Sequence, residues 1–429
     1  MKQHFCITHG LGRNNESGVG VWRIRSLFAA VFVVVLVAGC ARAQSSGAVP
    51  GAARVKTGID VLEEQNFTPL RGKRVGLITN QTGVDSRGRR TIDVLSGAEG
   101  VKLVALFSPE HGIAGKLDQE HVDNSKDAAT GLPVYSLYGN SRRPSDEDLK
   151  GLDALVFDIQ DAGVRFYTYT ATMGYCMEAA AKNHLAFFVL DRPNPLGGER
   201  IEGPMLDADK TAFVAYFPMP IVYGMTLGEL AGFFNAEARI GADLHVVRMS
   251  GWKRATTYGE TGLVWIPPSP NLRTVAETVP YPGIEILQAG GVSVGRGTET
   301  PFEMLGAPWI DGDALAAELS KRRIAGVAYR AVKFTPTSDL YKGVECHGVA
   351  LTVTDAAAFD SVRNGMEVAA ALRALYPEKF LVAKMIVLVG NAETIAALQR
   401  GASVSEIVAS WKPGLAAFRV TRGKYLIYE

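Results

Sequence analysis

The segment Ser108–Gly112, with the sequence SPEHG, places a carboxylate beside an imidazole in a turn led by a proline. Glu110 and His111 are residue types that transfer protons in enzymes. A structural interpretation is also open, because Ser108 could cap a helix starting at Pro109, whose dipole Glu110 would favour. Such a cap does not need His111, so we predict a catalytic role for this pair.

A second segment, Asp158–Tyr169 (DIQDAGVRFYTY), concentrates groups that suit a polyhydroxylated ligand. Carboxylates and amides form hydrogen bonds with hydroxyl groups, and aromatic faces can stack on sugar rings. We predict catalytic roles for Asp158 and Asp161, and ligand contacts from Gln160, Arg165, Tyr167 and Tyr169. Alternatively, an Asp–Arg ion pair holds the loop while the tyrosines belong to the core.

Two glycine-containing segments add further candidates for ligand contacts. The first, Asp191–Gly203 (DRPNPLGGERIEG), is a loop stiffened by prolines, and its candidates are Asp191, Arg192, Asn194 and Glu202. The second, Gly291–Glu303 (GVSVGRGTETPFE), offers Arg296 and Glu299. It also matches the G-x-S-x-G pattern of serine hydrolases at Ser293, although a loop follows where that motif requires a helix.

Short apolar runs alternating with helical patterns predict the elements that position these residues. The runs are Arg74–Asn80, Val101–Phe107, Ala154–Ile159, Ala186–Leu190 and Leu244–Met249. Helical periodicity fills 170–183 and 226–238, so the pattern is typical of a parallel sheet with helices on both faces. In such α/β sheets ligands bind beyond the carboxyl ends of the strands, where Asn80 joins the candidates above. Polar loops alone are the competing explanation.

The pattern changes after Trp265, where three prolines within Ile266–Asn271 (IPPSPN) exclude regular structure. We place a domain boundary here, with an N-terminal catalytic domain over 56–272 and a smaller α+β domain over 273–429. The smaller domain is predicted to contain helices at 313–323 and 357–376 and strands at 327–334 and 348–354. Asn271, at the end of the proline-rich segment, is a further candidate for ligand contact.

The N-terminal residues resemble an export signal. Arg23 and Arg25 precede an uncharged apolar run over 27–38, which is too short to span a membrane and suits a signal peptide. Cys40 follows Ala38-Gly39, as in the lipobox of bacterial lipoproteins, so we predict a signal peptide over 1–40, lipidation of Cys40 and a flexible tether over 41–55. Cleavage after Ala43 is the alternative, and both place the protein outside the cytoplasm.

Composition excludes several classes of function. The 429 residues include 45 basic and 44 acidic side chains, a balance that argues against nucleic-acid binding. The first strand is not followed by G-x-G-x-x-G, and the nucleotide-binding pattern G-x-x-x-x-G-K-[ST] is absent from the sequence. His111 and His121 lack the short spacing of a metal-binding motif, so we expect neither a metal nor a cofactor.

Taken together, these segments resemble the exo-β-N-acetylmuramidase NamZ family, formerly a domain of unknown function. The resemblance runs from about Lys56 to the C-terminus, and the family's motifs occur in order: LITNQTG, SPEHG, FDIQDAGVRFYTY, DRPNPLGG, PPSPN and GRGTETPFE. It implies a Rossmann-like N-terminal domain, a smaller C-terminal α+β domain and an active-site cleft between them. It further implies an exo-acting glycoside hydrolase that releases N-acetylmuramic acid from the non-reducing end of peptidoglycan fragments.

The resemblance also implies that Glu110 is the general acid, and we expect His111 to orient or tune it. The second catalytic group stays open among Asp158, Asp161, Glu202, Glu299 and the acetamido group of the substrate. The lactyl carboxylate of N-acetylmuramic acid would bind one of three arginines, Arg165, Arg192 or Arg296. The alternatives are a cell-wall-binding lipoprotein without catalysis and, less well supported, a serine esterase that uses Ser293.

Overall fold

A computed structural model describes residues 55–117 and 121–429. The predicted signal peptide, the lipidation site Cys40 and the tether before Val55 lie outside the described residues. Among those residues, no helix is both long and apolar enough to cross a membrane.

The main element is a sheet of seven described strands in the order β3-β4-β2-β1-β5-β6-β9. All neighbouring pairs are parallel except β3 with β4, which closes one edge in the antiparallel sense. The strands are β1 Arg74–Thr79, β2 Lys102–Ser108, β3 Ser125–Lys126, β4 Pro133–Ser136, β5 Ala154–Asp158, β6 Ala186–Leu190 and β9 Asp243–Val247. The predicted parallel sheet is therefore confirmed, and each of the five predicted strands is present within two residues of its expected bounds.

Helices cover both faces of this sheet, as its residue pattern requires. Every residue of β5 and β6 is buried, which is typical of central parallel strands packed on both sides. Successive side chains alternate between two cores, since Leu77 and Val156 belong to one core and Ile78 and Phe157 to the other. The helices of this part are α1 Gly58–Glu64, α2 Thr91–Ser96, α3 Thr168–Lys182 and α4 Leu227–Glu237.

The remaining described residues form a smaller α+β part. Its antiparallel sheet has the order β10-β12-β11, and a separate hairpin joins β7 Glu202–Met205 to β8 Pro220–Val222. The other strands are β10 Met304–Ala307, β11 Val327–Phe334 and β12 Cys346–Val353. The other helices are α5 Val275–Thr278, α6 Tyr281–Gln288, α7 Gly312–Arg322, α8 Ser361–Leu375, α9 Ile386–Val389, α10 Ala392–Arg400 and α11 Val404–Gly423, with short 3-10 turns at 68–70, 208–210, 258–261 and 382–385.

One hydrophobic core continues from the large sheet into the smaller part, so that Phe157 and Leu372 belong to the same cluster. Two buried charges reinforce this junction. Arg165 donates hydrogen bonds to the carbonyl oxygens of Met219 and Val389, at 2.7 and 2.8 Å. Glu202 accepts hydrogen bonds from the N–H groups at the start of α8. The exact domain boundary near residue 272 stays a prediction.

Candidate active site

A cavity of about 590 Å³, including its open mouth, lies where both parts of the chain meet. Its walls come from the turn after β2, the start of α3, the proline-rich segment, α6 and the loop that follows α6. The lining residues are Glu110, His111, Phe166, Tyr167, Thr168, Val214, Ser269, Tyr281, Glu285, Arg296, Phe302 and Leu388. Such a concave site with a few polar groups among apolar side chains is typical of a small-ligand pocket.

Glu110 lies at the carboxyl end of β2, in a turn rather than in a helix, so the alternative interpretation of a helix capped by Ser108 does not hold. The Thr168 hydroxyl, on the first turn of α3, donates a hydrogen bond to Oε2 of the half-buried Glu110. The Oε1 oxygen has no hydrogen-bond partner among the described residues. One carboxyl oxygen is therefore held in place while the other can meet a ligand.

His111 supports this turn. Its φ angle of 69° lies in the left-handed region, which is uncommon for non-glycine residues. Its Nδ1 atom lies 2.6 Å from the carbonyl oxygen of Leu117. Because a carbonyl can only accept, Nδ1 is the donor, and Nε2 of the neutral ring is left as an acceptor.

Two tyrosine hydroxyls belong to the cavity. Tyr167 and Tyr281 contact each other edge to face, with ring centroids 6.1 Å apart. Burial raises the pKa of both hydroxyls well above the ordinary value, so both stay protonated and can donate. The Tyr167 hydroxyl is buried near Ser269 and Tyr169 but forms no hydrogen bond of ordinary geometry with the described residues.

Arg296 and Glu285 form a buried ion pair in the cavity wall. The Nη2 atom of Arg296 lies 2.7 Å from Oε1 of Glu285, and its Nε atom donates to Gln288 at 3.0 Å. Asp339 lies 3.5 Å from the same Nε atom, and the guanidinium stacks over the ring of Phe302 at 5.2 Å. The guanidinium is thus fixed in orientation, and Nη1 has no partner among the described residues.

Comparison with known proteins identifies the family. Two family models match consecutive parts of this chain. The model of the N-terminal domain of the exo-β-N-acetylmuramidase NamZ matches residues 75–276, and the model of its C-terminal domain matches residues 279–428. The chain belongs to the NamZ family. The peptidoglycan β-N-acetylmuramidase NamZ of Bacillus subtilis (strain 168) is 45% identical over 379 residues, covering 87% of this chain and 92% of that protein.

Solved structures of family members share the fold. A DUF1343 family protein of Bacteroides fragilis superposes with a TM-score of 0.82 at 40% identity, covering 88% of this chain and 99% of that one. A second DUF1343 family protein of the same organism has a TM-score of 0.74 at 32% identity, with the same coverage. The fold predicted from the family motifs is therefore confirmed.

The family motifs do not all contribute to the same cavity. Of the predicted site residues, Glu110, His111, Tyr167 and Arg296 line it. Gln160 and Arg192 line a second cavity of about 790 Å³ beyond the ends of β1, β5 and β6. There Arg192 pairs with Asp158, donating from Nη2 to the carboxylate at 2.9 Å, so this acid and this base neutralise each other.

Asn80, Asp161, Arg165 and Tyr169 are buried close behind the cavity and hold its loops. Asp161 accepts hydrogen bonds from Tyr223 and from the N–H of Gly163, and burial raises its pKa to about 6. The Tyr169 hydroxyl donates to the carbonyl oxygen of Pro268 at 2.6 Å and accepts from Asn80 at 2.9 Å. Arg165 donates only to backbone carbonyls, and burial lowers its pKa to about 9.

The other predicted contacts lie outside the lining of the cavity. The buried Asp191 accepts from Thr226 and Tyr428, both at 2.7 Å, and burial raises its pKa to about 6. The Asn194 side chain accepts a hydrogen bond from the Leu196 N–H and donates one to the carbonyl oxygen of Met225. Burial, together with the Asp360 charge, raises the pKa of Glu202 to about 7. The remaining two are Asn271, which accepts from the Gly297 N–H, and Glu299, whose side chain is exposed.

Sequence reasoning missed several polar residues of the cavity: Thr168, Ser269, Tyr281 and Glu285. The signal for Glu285 was present, because it is the one charged residue of the otherwise apolar helix α6, YPGIEILQ. A lone acid on a buried helix requires a partner or a function. Thr168 stands between two predicted residues, but a threonine inside an aromatic run gives no signal of its own.

Ser293 and one cluster of carboxylates have structural roles among the described residues. Ser293 forms a β-bridge with Gly306, and its hydroxyl accepts from the N–H of Gly295 without contacting a histidine. The carboxylates of Asp60, Glu63 and Asp85 lie within 4.8 Å of one another, as in some metal sites. Two arginines, Arg87 and Arg89, already pair with Glu63 and Asp85, which explains this cluster without a cation.

The two neighbouring tyrosines allow a direct test of these placements. Tyr169→Phe should lower the free energy of unfolding by about 1–2 kcal/mol, because a buried carbonyl loses its donor. Tyr167→Phe should change it by less than about 0.5 kcal/mol, because the lost hydroxyl has no partner. Urea denaturation of both variants checks this, and the reverse order of effects would contradict the assignment of Tyr167 to the cavity.

Proposed function

We propose that this chain is an exo-β-N-acetylmuramidase that releases N-acetylmuramic acid from the non-reducing end of peptidoglycan fragments. Membership of the family and 45% identity to a peptidoglycan β-N-acetylmuramidase support a glycosidase of this class. The observation that carries the proposal is the position of Glu110, a carboxyl group held by Thr168 at the wall of a confined cavity.

Glu110 is proposed as the general acid. Cleavage of a glycosidic bond needs a proton on the leaving oxygen as the bond to C1 breaks. The Thr168 hydroxyl can donate to only one oxygen of Glu110, which leaves the other to hold the proton that is transferred. His111 is proposed to orient this turn through its bond to the Leu117 carbonyl rather than to transfer the proton itself.

The limited size of the cavity supports exo cleavage. Its volume, about 590 Å³ with the mouth included, suits one sugar residue rather than a section of a long glycan strand. The rings of Tyr167, Tyr281 and Phe302 provide apolar faces, while the two tyrosine hydroxyls can bind polar groups of the sugar. A terminal residue could enter through the mouth, with the rest of the fragment outside.

Arg296 is proposed to bind the lactyl carboxylate that distinguishes N-acetylmuramic acid from N-acetylglucosamine. Of the three arginines considered from sequence, Arg165 is committed to backbone carbonyls and Arg192 to Asp158. Arg296 lines the cavity and keeps Nη1 available. A charge-assisted hydrogen bond from a guanidinium that is already oriented would discriminate well between the two sugars.

We also propose that the protein is exported and anchored through Cys40. The support is the sequence alone: an uncharged apolar run over 27–38, then Ala38-Gly39-Cys40, then a small and polar stretch that suits a tether. An enzyme that acts on peptidoglycan needs access to the cell wall, and a lipid on the N-terminal cysteine would place it there.

Glu110→Gln tests the general acid. We expect turnover of a β-1,4-linked N-acetylmuramyl-N-acetylglucosamine disaccharide to fall at least about 100-fold. Turnover of a dinitrophenyl β-N-acetylmuramide should fall much less, because that leaving group departs without a proton. Glu277→Gln is the matched control, since Glu277 is buried in α5 outside the cavity. Near-normal cleavage of the disaccharide by Glu110→Gln would contradict the assignment of Glu110 as the general acid, whereas a folded wild type that cleaves neither substrate would favour a binding protein.

Arg296→Lys tests recognition of the lactyl group. Lysine keeps a positive charge beside Glu285 but loses the guanidinium fork, so kcat/KM for the muramide should fall about 10- to 100-fold. The same constant for the matching β-N-acetylglucosaminide should be unchanged, since that sugar has no lactyl carboxylate. Arg142→Lys, at an exposed position, serves as the control. Equal losses on both substrates would contradict the proposal.

Cys40→Ala tests the anchor in the native bacterial host. We expect the wild-type protein to incorporate radiolabelled palmitate and to sediment with membranes, because acyl chains bury apolar surface in the bilayer. The variant should lose the label and move to the soluble fraction. Labelling that persists in Cys40→Ala would contradict the assignment of Cys40 as the lipidated residue.

A further inference from the structure

Helix α6 carries a buried acid into the cavity on a rigid support. Glu285 is 8% exposed, and the rest of the helix packs against α8. The two helices touch through glycines, since a Cβ on Gly283 would lie 1.7 Å from the Ser361 carbonyl oxygen. The Gly283 N–H also donates to the Ser361 hydroxyl at 3.0 Å. The position of Glu285 is therefore fixed by backbone contact.

The two oxygens of Glu285 differ in their surroundings. Oε1 accepts from Arg296 at 2.7 Å, whereas Oε2 is buried without a hydrogen-bond partner. Burial raises the pKa of Glu285, Arg296 opposes that rise, and the charges of Asp339 and Glu110 add to it. A buried oxygen without a donor lowers stability, and a donor supplied by a water molecule or a ligand in the site would relieve that cost.

The other carboxylates considered for the second catalytic group are occupied or distant from the cavity. Asp158 is paired with Arg192, and Glu202 with Arg200 and the start of α8. Glu299 is exposed. Asp161 keeps one unpartnered oxygen, but it does not line the cavity. Among these acids and Glu285, only Glu285 shares the cavity with Glu110, and it lies near enough for the Glu110 charge to affect it.

We propose that Glu285 is the second catalytic carboxyl group and acts as the general base on the attacking water; this rests on the proposed function. Glu110 gives its proton to the glycosidic oxygen as the bond from that oxygen to C1 breaks. Glu285 takes one proton from a water molecule, whose oxygen bonds to C1. The products are α-N-acetylmuramic acid and the shortened fragment, and the proton on Glu285 returns to Glu110 through solvent.

Binding of the substrate would strengthen this base. The lactyl carboxylate on Nη1 of Arg296 shares the positive charge that otherwise stabilises the Glu285 anion. The base is thus weakly basic in the empty site and more basic once the sugar is bound. Arg296 then links recognition of the lactyl group to activation of the water.

The test compares Glu285→Gln and Glu285→Ala with Glu110→Gln and with the control Glu277→Gln, all in the full chain. Because a base is needed whatever the leaving group, Glu285→Gln should lose at least about 100-fold on both the disaccharide and the dinitrophenyl muramide. This pattern differs from the selective loss expected for Glu110→Gln. Sodium azide should restore cleavage of the dinitrophenyl muramide by Glu285→Ala, forming the α-glycosyl azide as dinitrophenolate leaves.

Several outcomes would overturn the proposal. Near-normal turnover by Glu285→Gln beside an active wild type would overturn this role alone, as would wild-type release of the β-anomer first in proton NMR. A loss of activity in Glu285→Ala that azide does not restore, together with a lowered Tm, would make Glu285 a structural support for Arg296. A wild type that cleaves no muramide would overturn both this role and the proposed function.

Discussion

The buried guanidinium of Arg165 is the interaction on which the arrangement of the site depends. It donates to carbonyl oxygens of the β7–β8 hairpin and of α9, segments far apart in the chain. Tyr167 and Thr168 follow it directly, and Leu388 is one of its acceptors, so three lining residues of the cavity are positioned by a single side chain. A desolvated charge is tolerated here because four carbonyl dipoles surround it.

Polar residues at the strand ends have two different roles. Glu110 faces the cavity, whereas Asp158, Asp161 and Asp191 mainly satisfy hydrogen-bond donors of neighbouring loops and side chains. Both kinds arise from the same constraint, because a loop buried beyond a sheet must find partners for its backbone groups. A layer of buried acids therefore holds the loops and side chains around the turn that carries Glu110.

Sequence reasoning predicted the large sheet well, because β5 and β6 are continuous apolar runs that only a sheet covered on both faces explains. The short strands β3 and β4 at the edge of the sheet were not predicted, because two to four residues give no recognisable periodicity. In the site, Glu110 and Arg296 stood out by residue type and motif. Tyr281 gave no such signal, and the lone acid of α6, Glu285, could not be assigned to the cavity, because only tertiary packing brings α6 beside the turn after β2.

The contact between Gly283 and Gly365 has a consequence for how such a site diversifies. Each glycine lies so close to the opposing backbone that even one methyl group would force the helices apart. Helix α6, which carries Tyr281 and Glu285, therefore cannot rotate or slide gradually against α8. A change in the position of Tyr281 and Glu285 therefore requires α6 and α8 to move together, whereas side chains along the rim of the cavity can be exchanged without such a movement.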